Sequence, residues 1–322
     1  MATTPTRAAW AGLAFLYVIW GAGYPAAEVM LESIPPLLGM AARTLAAGTV
    51  LLAIALLRRR ATHLGASPSE LGWAVVVGML LVFTNGLIVV GMGEVPAGTA
   101  ALIVGSMPLW IVVLQSIGGR RASALDAIGV AIGFGGLALL VAPGGMEGGA
   151  PIASIALIVT ATALQAGGTL TAQRVPLPAD PLTTVAVGMI AAALCMSLLG
   201  FALGEASDLA SGQLAPSAVL AWLFLAGPVA LGGYLTFIWL LRRMPAMTVS
   251  TYAYVNPVIA LLLAWALLGH AVTGATLLGA ALILAAVAFV LARSARAGRP
   301  ASRARQVARV TARGPRSAPG SC

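Results

Sequence analysis

Apolar residues fill this chain in blocks of about 18 to 25 positions, cut by short polar or proline-bearing breaks. A helix of that length crosses the ~30 Å hydrocarbon core of a bilayer. Within the blocks the side chains do not alternate. A run such as Val75-Val76-Val77 would place apolar residues on both faces of a strand, against the alternating pattern of a transmembrane β-barrel. The blocks predict ten helical spans, at roughly 8–30, 35–57, 69–92, 96–117, 124–142, 151–173, 181–203, 216–241, 245–268 and 274–292. Pro35, Pro96, Pro151, Pro181, Pro216 and Pro245 stand at span starts, where a missing N–H would be unpaired in any case. Ser67 with Glu70, and Ser123 with Asp126, have the spacing of a capping box. The predicted fold class is an all-α polytopic membrane protein with ten transmembrane helices.

The blocks also repeat. Leu71, Trp73, Gly78, Pro96, Ala97, Thr99 and Pro108 recur 149 residues on as Leu220, Trp222, Gly227, Pro245, Ala246, Thr248 and Pro257. Earlier in each half the offset is near 145, which sets Gly23 on Gly168 and Pro36-Leu37 on Pro181-Leu182. Gly129 and Gly279 match near 150. Each half therefore holds five spans, and an odd count reverses the second copy relative to the first, as in many carriers. The expected organisation is two inverted five-helix repeats, 1–145 and 151–292, followed by a tail, 293–322.

Composition agrees: 60% of residues are hydrophobic, 8% are charged and the mean hydropathy is +0.99. A soluble domain carries about a quarter charged residues. The net charge of +9 raises nucleic acid as a partner, but its distribution argues against one. All 18 basic residues are Arg; eight lie between Arg293 and Arg316, and most others lie in short loops. With the N-terminus in the cytoplasm, Arg7, Arg58, Arg59, Arg60, Arg120, Arg121, Arg174, Arg242, Arg243 and the tail all fall inside. Glu28, Glu32, Glu94, Glu147, Glu205 and Asp208 then fall outside, and Arg43 alone lies within the membrane. This segregation predicts a multi-pass inner (plasma) membrane protein with both termini cytoplasmic.

The first 30 residues imitate a signal peptide, but cleavage would leave the first half one span short. The tail lacks acidic residues and is rich in Arg, Pro, Gly, Ser and Ala, so it is expected to be disordered. It serves either as a topology anchor or as a contact for anionic lipid. Cys195 and Cys322 form no disulfide or metal pattern, and His63 and His270 are expected on opposite sides. Neither a metal nor a cofactor is expected.

The sequence resembles the EamA family of the drug/metabolite transporter superfamily. The resemblance is carried by Trp20-Gly21, by Pro35-Pro36 followed by Arg43, by Pro96 to Pro108, by Pro245 to Pro257, and by Gly129 and Gly279. It covers about residues 8–292. One departure is that Gly119-Arg120 and Gly269-His270 stand where the family often has Gly-Glu, which removes any role for that glutamate. The resemblance implies a secondary carrier of small organic molecules with a cavity between the halves; the family includes exporters of amino acids, metabolites and drugs.

Candidate site residues follow from depth and chemistry. Pro108 and Pro257 lie about 12 residues into their spans, roughly 18 Å deep. There each would free a backbone carbonyl, of Val104 or Ala253, either to line a cavity or only to shape packing. Asn85, Gln165 and Asn256 are amides at similar depth, serving as substrate ligands or as glue between helices. Trp20, Tyr24, Tyr234 and Tyr252 combine apolar bodies with polar tips, as pockets for organic molecules require, although they could equally be packing. Trp10, Trp73 and Trp222 fit interfacial belts. Arg43 costs ~2.5–3.5 kcal/mol to insert, so it needs a partner or a wet surface. Glu28 is the first candidate partner and Glu94 the next; an Arg43–Glu28 pair would form an outer gate. The alternatives are a cation for a substrate carboxylate, a structural ion pair or snorkelling. Gly129 and Gly133 suit packing within the carrier, or a homodimer seam.

The absence of a Walker pattern argues against ATP drive. No acid lies near the midplane to relay ions. These features favour a non-enzymatic secondary transporter, exporting a small neutral or zwitterionic metabolite by alternating access. A polytopic enzyme on lipid-linked substrates and a channel are the alternatives.

Overall fold

The computed structural model describes residues 6–62, 65–119, 123–142, 150–249 and 251–311. The expected sites at His63, Arg120, Arg121 and Glu147, and tail residues 312–322, lie outside them. Helices α1 (Arg7–Leu31), α2 (Pro36–Thr62), α3 (Pro68–Gly91), α4 (Ala97–Ile117) and α5 (Ala124–Val141) form the first half. The second half is α6 (Ile152–Ala172), α7 (Pro181–Ala202), a short α8 (Glu205–Ser211), α9 (Pro216–Leu241), a four-residue α10 (Ala246–Val249), α11 (Tyr252–Leu268) and α12 (Gly274–Thr311). Both capping boxes are in place: Glu70 N–H donates to Ser67 Oγ at 3.3 Å and Asp126 N–H to Ser123 Oγ at 3.1 Å.

Among the described residues nine helices are long and apolar enough to cross a membrane. The predicted span at 245–268 is divided instead. Thr251 N–H bonds the Thr248 carbonyl three residues back, closing a turn, and α11 restarts as a 17-residue apolar helix. α4 breaks in the same way, at Ser106, whose N–H bonds Ile103 O at 3.1 Å. Pro108 then sits in the first turn of the restarted helix, where it needs no N–H. At the far end α12 runs on to Thr311. Its Ala and Arg are strong helix formers.

Polar contacts gather the helix ends into two groups. At one end Glu28, near the end of α1, accepts the Ala97 N–H that starts α4 (2.7 Å) and pairs with His270 (2.8 Å). Buried Glu205 accepts the Leu37 and Leu38 N–H groups that start α2, at 3.1 and 2.8 Å. A carboxylate at a helix N-terminus satisfies unpaired donors and the helix dipole together, worth about 1.5–3 kcal/mol for a charged hydrogen bond. Glu94 meets Ser154 at the start of α6, and Ser217 donates to Glu32 at 3.1 Å. At the other end Arg293 holds Asp126 at 3.0 Å and Ser123 at 2.9 Å, tying α12 to α5. Because α6 begins at the end where α1 finishes, the two halves run in opposite senses.

Packing repeats the sequence symmetry. α2 packs on α7, α4 on α11 and α5 on α12, each helix on its own counterpart. α1 on α9 is answered by α6 on α3, and α3 on α7 by α2 on α9. At the α3–α7 crossing, a Cβ built on Gly78 would lie 2.2 Å from the Gly188 Cα, so only glycine permits this approach. Gly129 and Gly133 face Phe289, Val290 and Leu109, inside the bundle.

Candidate functional site

α3 and α9 are not α-helical throughout. Met79–Phe83 and Leu225–Gly232 are π-helical, and under the 149-residue offset the second segment contains the counterpart of the first. A π turn widens the helix and breaks the usual ladder, exposing carbonyls to side chains; such segments recur at functional sites. Pro228 contributes in α9, because it has no N–H to give.

Side chains claim those carbonyls. In the first half Thr84 Oγ1 donates to Leu80 O at 2.8 Å, and Asn85 Nδ2 to Leu81 O at 2.8 Å. Gln165 Nε2 of α6 reaches the same Leu81 O at 3.4 Å. In the second half Trp20 Nε1 of α1 donates to Val229 O at 3.2 Å, and Arg43 Nη1 of α2 to Leu225 O at 3.4 Å. Gln165 lies 145 residues after Trp20, and Tyr234 lies 149 after Asn85, so these are counterparts under the repeat. Each half therefore contributes one amide and one aromatic, and they sort by π segment: Asn85 and Gln165 gather at the first, Trp20 and Tyr234 at the second.

The aromatic side is a connected wall. The Trp20 ring lies 4.7 Å from Tyr252, 5.5 Å from Phe237 and 5.8 Å from Tyr234, centroid to centroid, with the two tyrosines edge-on. Such pairs add about 0.5–1.5 kcal/mol each beyond burial. Tyr24, one turn along α1 from Trp20, lies close to Tyr252, and Arg43 lies close to Tyr234. Gly233 admits the indole: a Cβ there would lie 2.2 Å from Trp20 Nε1.

The structure thus joins Trp20, Tyr24, Arg43, Tyr234 and Tyr252 in one cluster, and Asn85 with Gln165 in another. Asn256 stands apart. Its amide nitrogen, turned to the two acceptors facing it, donates to Tyr252 O at 3.1 Å and Tyr17 O at 3.2 Å, joining α11 to α1. Pro108 and Pro257 are buried, Pro257 against Gly105 where α11 crosses α4. In this conformation these three shape the scaffold.

The expected Arg43–Glu28 ion pair is replaced by other contacts. Glu28 is occupied by the Ala97 N–H and by His270, and Arg43 turns to α9. A free helix N-terminus competes well for a carboxylate, and position along a span does not reveal it. Sequence reasoning also missed both π segments, Phe237, and the bond between Tyr17 and Thr251 beside the wall. Pro228 inside an apolar run was the one visible signal for the longer π segment.

The chain matches the EamA-like transporter family over residues 8–142 and 152–292. It is 34% identical over 281 residues to the "uncharacterized inner membrane transporter YedA" of Escherichia coli K12, covering 85% of this chain and 88% of the relative. It is 27% identical over 286 residues to the "uncharacterized transporter YvbV" of Bacillus subtilis 168, covering 88% and 91%. A solved crystal structure at 23% identity and TM-score 0.58 shares the fold across 90% of this chain and 98% of its own.

Proposed function

The chain belongs to the EamA-like transporter family, and from that premise we propose that it is a secondary carrier exporting a small organic metabolite by alternating access. The family and its inner-membrane relatives make it a multi-pass inner-membrane transporter. Beyond that, α10 and α11 act together as the tenth crossing of two inverted five-helix repeats. Both termini lie in the cytoplasm, where the arginine-rich end of the bundle meets the anionic leaflet.

The observation that carries the proposal is the pair of matched π segments, each held by a donor from the opposite half: Gln165 on Leu81 O, and Trp20 on Val229 O. Alternating access needs two arrangements of similar energy around one site, which an inverted repeat supplies by exchanging the conformations of its halves. Bonds of 3.4 and 3.2 Å to π-segment carbonyls are long enough to be remade as the halves rock. The substrate lies between the amide side and the aromatic wall. Glu28, bridging α1, α4 and His270, acts as a latch at the outer end.

Everted membrane vesicles containing the protein, offered a broad panel of radiolabelled amino acids, related metabolites and drugs, test this. At least one solute is expected to enter faster than into vesicles lacking the protein. Movement of none by folded protein would count against a carrier.

A further inference from the structure

We infer that Arg43 is the anion-binding element of this site and that the substrate is an organic carboxylate with a flat apolar body. The inference rests on the carrier proposal for the use of the site, but its chemistry stands on separate observations.

The first is a broken symmetry. Where α3 meets α7, Gly78 packs directly on Gly188. The counterpart contact, α9 on α2, has Gly227 and Arg43 at those positions. No heavy atom lies within 4 Å of a Cβ built on Gly227. The close glycine–glycine contact is thus present on one side only, and the matching position on the other side carries a guanidinium.

The second is direction. Trp222 Nε1 donates to Gly39 O at 2.9 Å, fixing α2 level with α9. Arg43 stands one turn further in, roughly 10 Å below the start of α2. It reaches sideways to Leu225 O rather than outward to the surface, so it does not snorkel.

The third is an unmet requirement. No acid among the described residues lies within salt-bridge distance of Arg43, and Glu28, the partner expected from the sequence, is already committed. Nη1 is spent on Leu225 O, while Nε is shielded and faces no acceptor. The Nε–Nη2 edge therefore carries the unspent donors, and once the helices part to admit a substrate that edge suits a carboxylate held by two parallel bonds. One arginine balances one charge; a phosphate carrying nearly two would need a second cation. From Arg43 the surface continues through Tyr234 to Trp20 and Tyr252, a wall suited to a planar apolar body.

The test is binding, which separates this inference from the carrier proposal. Purified full-length protein in detergent is titrated calorimetrically with 3-phenylpropanoate and with its uncharged twin, 3-phenylpropanamide. The acid is expected to bind wild type at least ~10-fold more tightly than the amide. Arg43→Gln should bring acid binding down to the amide level, and Arg43→Lys should restore part of the preference; a melting curve of each variant checks folding. Equal binding of acid and amide to wild type, binding of neither, or a preference that survives in folded Arg43→Gln would overturn the inference. The wild-type comparison decides even where a variant does not fold. Acid binding without transport of any solute would sink the carrier proposal alone, whereas transport blind to the carboxylate would sink this inference alone.

Discussion

Gly78→Ala is expected to prevent stable folding, while Gly227→Ala, the same change at the matching position of the other half, is expected to be tolerated. Alanine is the better helix former by about 1 kcal/mol, so propensity alone would favour both substitutions. Packing separates them. At Gly78 the new methyl would sit 2.2 Å from the Gly188 Cα and 2.6 Å from its carbonyl carbon and oxygen. Backbone cannot rotate aside as a side chain can, so α3 and α7 must part along their shared face. The cost should exceed the ~1–3 kcal/mol usual for overpacking. At Gly227 the methyl enters open space, and the change should stay within about 0.5 kcal/mol, aside from the propensity gain. Melting of each purified variant in the same detergent is the measurement. Equal melting temperatures would show that the two crossings do not differ, and would remove the asymmetry on which the role of Arg43 rests.

Trp20→Ala should lower transport at least ~100-fold, equivalent to ~2.7 kcal/mol, in protein that still inserts. The indole is the hub of the wall, touching Tyr234, Phe237 and Tyr252, and its N–H holds Val229 O on the π segment. Removing it strips the wall and frees a carbonyl at membrane depth together. Gly233→Ala should reproduce much of the loss from the other side, because its methyl would displace the same indole. Trp20→Phe keeps the ring but loses the donor, and about a tenfold loss is expected. Trp265→Ala is the control: that tryptophan is 57% exposed on the outer face of α11 and should leave the rate unchanged. Initial rates normalised to protein inserted give the comparison. Comparable losses for Trp20→Ala and Trp265→Ala would mean that the wall is ordinary packing.

What could be read from the chain beforehand follows from which physical signals are local. Helix starts were legible because proline and the two capping serines act within a few residues of where they stand. The aromatic wall was legible in outline: aromatics are only 6% of the chain, and Trp20, Tyr234 and Tyr252 fall on three predicted spans. The π segments were not, since an apolar run looks the same whether its bonds skip four residues or five. The match between Trp20 and Gln165 was hidden because the alignment rests on identities, and indole and amide share only an N–H. The partner of Glu28 was misjudged because the competing donor is the Ala97 backbone, which every residue type carries. The division of the predicted ninth span was missed as well. Pro257 drew attention to itself, whereas the turn forms at Thr251, six residues earlier.

The central claim is one site exposed alternately by two inverted halves, and solute counterflow tests it most directly. Proteoliposomes preloaded with a transported solute are diluted into a trace of the labelled form, with no ion gradient. The account predicts transient accumulation of label above equilibrium and saturation as the external concentration rises. Label that only equilibrates, at a rate linear in concentration and indifferent to preloading, would mean a channel and would contradict it.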